Sequence, residues 1–133
     1  MDHFNIVFVD DEVELVHLYK LAFHSEITDG ICTVNTFESA KDCLKYFQNS
    51  LPSNVILLTD VNMPEMNGFE FLQKAAQDCK GIIGTYVISG YGTHEYTDIA
   101  TKLGVKKFFF KPVSIFEIKK ELKNDFGVML ETQ

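Results

Sequence analysis

Between a Leu51-Pro52-Ser53 break and the acidic residue Asp60 runs Val55-Ile56-Leu57-Leu58, apolar at every position. A half-exposed strand alternates apolar and polar residues, because successive side chains point to opposite faces. An unbroken run is the pattern of a strand covered on both faces, as in the middle of a parallel sheet. Parallel strands need long crossovers, so the chain is confined to architectures in which helices cover the sheet. The run stops at Thr59-Asp60, and Met63-Pro64 and Asn67-Gly68 then mark a loop. Proline contributes a fixed φ there, and glycine a tolerance of positive φ. A carboxylate at the carboxyl end of a central strand, followed by such a loop, stands where open α/β sheets bind ligands.

The start of the chain repeats the pattern. Asn5-Ile6-Val7-Phe8-Val9 is a second short apolar strand, and it ends in Asp10-Asp11 with Glu12 next. Taken singly, Asp60 or Asp10 is an ordinary strand-end or turn residue. Two buried strands that each deliver carboxylates at their carboxyl ends bring like charges together, which resists ionisation unless something compensates. A hard divalent cation does so, and magnesium favours a few carboxylates, retained waters and a phosphate oxygen.

The remaining chain alternates strand and helix. Asp11 or Glu12 is placed to cap a helix reaching about residue 24, with Val13, Val16, Leu18 and Leu21 on its inner side. A strand over 31–34 follows the Asp29-Gly30 turn, and Thr36 is placed to cap a helix over 38–48 that buries Ala40, Leu44 and Phe47. A third helix over 69–77 buries Phe69, Leu72 and Ala76; a strand over 84–89 precedes a fourth helix over 94–103, ended by Gly104. A fifth strand covers 107–110, Ser114 caps a fifth helix over 115–125, and 127–133 read as a tail. No repeat, low-complexity tract or linker divides the 133 residues, so we expect one domain with its core over about 4–125. Five strand–helix units predict an α/β fold: a five-stranded parallel sheet with helices on both faces and right-handed crossovers.

Composition excludes several classes. A net charge of −7 and the lack of any basic tract argue against direct nucleic-acid binding. Cys32, Cys43 and Cys79 are odd in number and widely spaced, which suits reduced thiols rather than a disulfide frame or zinc site. No signal peptide or membrane span is legible, so a cytoplasmic protein without membrane attachment is expected.

The strand ends therefore carry Asp10, Asp11, Asp60, Ser89 (in VISGYG) and Lys111 (in FFFKP). Those groups suit phosphoryl transfer. A carboxylate can attack phosphorus and hold the group as an acyl phosphate. The transferring group spreads charge over its equatorial oxygens, where a cation, an ammonium and a hydroxyl are useful.

VDDE at 9–12, TDVNMPEMNG at 59–68, SG at 89–90 and KP at 111–112 are each common alone. Together and in this order they resemble the receiver domains of two-component response regulators, chemotaxis-regulator-like, over about residues 4–125. The resemblance implies a flavodoxin-like (βα)5 doubly wound fold with strand order 2-1-3-4-5. It also implies a signalling domain that catalyses its own phosphorylation, on Asp60, and its slow dephosphorylation. The phosphoryl donor would be a histidine kinase or a histidine phosphotransfer protein. By the same resemblance Asp11, Asp60 and the Asn62 backbone carbonyl ligate Mg2+ (or Mn2+), with Asp10 acting through water. Lys111 pairs with the phosphoryl oxygen, Ser89 bonds it after transfer, and Phe108 occupies the switch aromatic position. Asn62 and Tyr91 tune the phosphoryl lifetime, and Pro112 follows a cis peptide bond. Output goes to a downstream effector or a homodimer through the fourth helix, fifth strand and fifth helix.

Two positions depart from the commonest family pattern: serine at 89, where threonine is frequent, and phenylalanine at 108, where tyrosine is frequent. A haloacid-dehalogenase-like phosphatase is a different class with an aspartate nucleophile, but its second aspartate would fall at Asn62, which is no base. A flavodoxin-like nucleotide module lacks a phosphate loop, since no GxGxxG occurs. A receiver that signals without phosphorylation would lack acidic or lysine positions that this chain keeps.

Overall fold

All of β3 (Val55–Thr59) is buried, as its uninterrupted apolar sequence demands. The computed structural model describes residues 3–63, 66–90 and 92–127. In chain order the other elements are β1 (Phe4–Val9), α1 (Val13–Ala22), α2 (His24–Thr28), β2 (Cys32–Phe37) and α3 (Ala40–Ser50). After β3 come α4 (Gly68–Asp78), β4 (Ile82–Ser89), α5 (His94–Lys102), β5 (Lys107–Phe110) and α6 (Ile115–Phe126). The strands form one parallel sheet in the order β2-β1-β3-β4-β5, the flavodoxin-like order.

Alternation along the strands splits the core into two layers. Ile6 and Phe8 of β1, Ile56 and Leu58 of β3, and Tyr86 and Ile88 of β4 pack with Val16 and Tyr19 of α1 and Ile118 and Leu122 of α6. Val7, Val9, Val55, Leu57 and Val87 face the opposite way, onto Ala40, Leu44 and Phe47 of α3 and Phe71, Leu72 and Ala75 of α4.

The first helix departs most from expectation. It breaks at Phe23, and α2 is a short separate helix, so later helices are numbered one higher than in the sequence reading. Val13 is exposed, as are Leu18 at 61% and Leu21 at 69%, while Val16, Tyr19 and Phe23 are buried. Both aromatics reach further than an aliphatic chain: Phe8 stacks on Tyr19 at 4.6 Å and meets Phe23 at 6.0 Å. That sets the helix phase. The helix α3 starts two residues later than expected because β2 extends to Phe37 and takes Thr36 into the sheet. Its cap is Ser39, whose Oγ accepts from the Asp42 N–H at 3.1 Å.

The inward stripe of α4 is Phe71, Leu72 and Ala75; Phe69 is half-buried and Ala76 exposed. Helix phase here is set by Gly68, which lies against the Val61 backbone so closely that a Cβ would come within 2.2 Å of the Val61 Cα. Ser114 caps α6 through the Glu117 N–H, and Gly104 follows α5 with φ of 83°, both as expected. Gly127 closes α6 in the left-handed conformation, and the tail beyond it lies outside the described residues. A buried ion pair, Lys119 to Glu26 at 2.8 Å, fastens α6 to α2. Among the described residues no helix is long and apolar enough to cross a membrane.

Candidate functional site

Backbone hydrogen bonds draw the carboxyl ends of the strands together before any side chain takes part. The Asp10 N–H donates to the Phe37 carbonyl (3.0 Å), the Asp60 N–H to the Val9 carbonyl (3.0 Å), and the Lys111 N–H to the Ser89 carbonyl (2.8 Å). Chain direction then fixes what projects there. Asp10 follows β1, Asp60 follows β3, Ser89 ends β4 and Lys111 follows β5.

Lys111 is the centre of the arrangement. Its Nζ lies 2.8 Å from Asp10 Oδ2, 2.9 Å from Asp60 Oδ2 and 3.0 Å from Glu12 Oε1. The second oxygens are also engaged: Asp10 Oδ1 accepts from the Glu12 N–H and Asp60 Oδ1 from the Asn62 N–H, each at 2.9 Å. The Asn62 side-chain amide donates to Ser89 Oγ at 3.2 Å, tying the loop after β3 to the end of β4. Asp10 and Asp60 are 2% and 5% exposed and Ser89 is fully buried.

Asp10, Glu12 and Asp60 each offer a carboxylate oxygen within 4.8 Å of the other two. Asp11, expected as the direct metal ligand, is exposed and stands outside that group. Glu12 is the member that the sequence reading did not single out. It holds the N-cap position of α1 yet makes no capping bond with its side chain, which turns to Lys111 instead. The only signal in the sequence was a third acid in VDDE.

Burial raises the Asp10 carboxyl above its ordinary range, opposed mainly by its hydrogen bond to Lys111. Burial alone would lower the Lys111 ammonium; its hydrogen bonds to Asp10, Asp60 and Glu12 together outweigh this and raise it. Three carboxylates against one ammonium leave two negative charges. An all-oxygen site of that charge fits a hard divalent ion such as magnesium or manganese.

Phe108 is half-buried on the α4–α5 side of the sheet, its ring 4.9 Å from that of Phe110. The Lys111–Pro112 peptide bond is cis. Tyr91 lies outside the described residues.

The family model of the response regulator receiver domain matches residues 6–123. The chain belongs to this family. Among curated relatives, the receiver domain is 33% identical over 125 residues to the transcriptional regulatory protein FlgR of Helicobacter pylori, covering 89% of this chain and 30% of FlgR. It is 31% identical over 115 residues to a 14.6 kDa protein of Leptolyngbya boryana, covering 86% of this chain and 83% of that one. The chain thus spans under a third of FlgR but most of the Leptolyngbya protein. Among solved structures, a CheY-like receiver domain protein of Methanospirillum hungatei superposes with a TM-score of 0.80 at 22% identity, covering 93% of this chain and 94% of that one. That likeness supports the fold.

Proposed function

We propose that this receiver domain accepts a phosphoryl group on Asp60 and relays it as a change of surface. The observation that carries the reading is the convergence of Asp10, Glu12 and Asp60 on the Lys111 ammonium at 2.8–3.0 Å. An Asp60 carboxylate oxygen attacks phosphorus and forms an acyl phosphate. The bond from phosphorus to the donor breaks, and its electron pair leaves with the donor, a phosphohistidine of a kinase or phosphotransfer protein. Lys111 then exchanges a carboxylate partner for a phosphoryl oxygen, and Ser89 Oγ exchanges the Asn62 amide for another. A bound Mg2+ would neutralise charge on the transferring oxygens.

Asp11, Asp60 and the Asn62 carbonyl are the direct ligands in this reading, with Asp10 acting through water and Lys111 vacating the centre of the acid group. Asn62 is no base, so water is poorly activated and the phosphoryl group persists. Output passes through α5, β5 and α6 to an effector protein or a second copy of the chain.

The test is incubation with a small-molecule phosphodonor, with and without Mg2+, followed by intact mass. We expect one base-labile adduct that requires the metal and is absent from Asp60→Asn. Full labelling of Asp60→Asn would reject the assignment. In Mg2+ titrations Asp11→Ala should lose more affinity than Asp10→Ala; the reverse order would exchange their roles.

A further inference from the structure

Tyr19 of α1 packs in the core layer of Phe8, which stands two residues before Asp10, and takes no part in the chemistry above. Its side chain is 3% exposed, and its hydroxyl has no hydrogen-bond partner among the described residues. A buried hydroxyl left so loses its water without replacement, which is costly enough that such groups are rare. Phe8, on whose ring Tyr19 stacks at 4.6 Å, stands two residues before Asp10, which follows β1 directly. Phe109, in the same core layer as Tyr19, stands likewise two residues before Lys111. The ring on which Tyr19 stacks is thus followed, two residues on, by a residue of the site, and so is a second aromatic of its core layer. Burial first, and the Asp10 charge next, push the Tyr19 hydroxyl up to about 12.

We infer that Tyr19 is a positioning residue whose hydroxyl becomes a hydrogen-bond donor to Asp10, directly or through one buried water, when Lys111 turns to the phosphoryl group. The inference rests on the Asp60 reading. With Lys111 in place, Asp10 Oδ2 has its ammonium partner at 2.8 Å and Oδ1 has the Glu12 N–H. Phosphoryl transfer draws the ammonium away and leaves a carboxylate that is 2% exposed, with the Glu12 N–H and the proposed bridging water as its donors. The Tyr19 hydroxyl is a donor already inside the protein, with nothing to give up. It keeps Asp10 aimed at the ion-binding group while Lys111 serves the phosphoryl oxygens.

The experiment labels tyrosine Cζ with 13C and adds Mg2+ and beryllofluoride, which mimics a phosphoryl group. The Tyr19 signal is identified by its loss in Tyr19→Phe, a change that keeps the ring and its packing. We expect that signal to move when beryllofluoride binds. We also expect Tyr19→Phe to need about tenfold more Mg2+ for half-maximal phosphorylation, the scale of one hydrogen bond to a charged group. Its metal-free thermal midpoint should be equal or higher, because an unsatisfied hydroxyl is gone; a lowered midpoint would assign Tyr19 to packing and overturn the inference. If either the signal or the Mg2+ demand is unchanged, the inference is overturned while the Asp60 reading stands. If the parent protein takes up neither phosphoryl group nor beryllofluoride, both fall together.

Discussion

Lys111 meets three carboxylates at once, yet one ammonium does not offset all of their charge. Asp10 bears the cost. Burial raises its pKa in the folded protein, so the folded state holds that proton more tightly than the unfolded chain. The resulting contribution favours folding below the ordinary carboxylate range and is lost as pH rises through the raised value. Asp10→Asn removes the ionisable group at nearly constant shape. In metal-free buffer at pH 7 it should therefore be more stable than the parent, and the gap should shrink as pH falls toward 4. Urea unfolding at several pH values measures it, and a gap that is constant with pH would refute the assignment. Saturating Mg2+ should reverse the order. Asp10, Asp60, Ser89 and Lys111 were legible in the sequence because each follows or ends an apolar run, where chain direction alone fixes the location. Glu12, the N-cap of α1, and Tyr19, within that helix, were not, since their roles depend on the rotation of the helix about its axis.

That rotation is the weakest point of sequence reading at the level of elements. Counting aliphatic residues put Leu18 and Leu21 inside, whereas the sheet receives Tyr19 and Phe23. β1 and β3 were easier, since their apolar runs need no phase, whereas β2, with Thr33, Asn35 and Thr36 in it, ran three residues past the expected end. The short helix α2 and its tie to α6 left no local trace, because Glu26 and Lys119 are 93 positions apart and each alone looks like a surface charge. In the fold Lys119 donates to Glu26 and to the Ala22 carbonyl, both at 2.8 Å, and lies over the Phe23 ring at 4.9 Å. Removing one member of a buried pair leaves the other uncompensated, at a cost of about 3–5 kcal/mol. Glu26→Ala should lose stability on that scale in chemical denaturation. Glu26→Gln, which keeps an acceptor, should lose less. A loss below about 1 kcal/mol for Glu26→Ala would mean that water reaches Lys119.

Across the whole molecule, the proposed function requires that a change at Asp60 alter α5, β5 and α6. Ser89 and Phe108 stand between them, one at the end of β4 and the other on β5. Phe108 is half-buried, so completing its burial gains less than the roughly 1.5–3 kcal/mol of a full exposed-to-buried change. A shift from 1:99 to 99:1 needs about 5.5 kcal/mol, so in the proposed switch this residue would bias the surface without locking it. At matched phosphoryl loading by mass, Ser89→Ala should show a smaller change in amide exchange over residues 94–123 than the parent. Equal responses would remove Ser89 from the coupling. The site also draws on both ends of the chain, for Lys111 and Glu12 meet across 99 positions of sequence. During synthesis, β1, β3 and β4 all emerge from the ribosome before β5. Under the proposed function a nascent chain would carry the acceptor Asp60 before the lysine that completes the site, and phosphorylation would wait until Lys111 has emerged and β5 has joined the sheet.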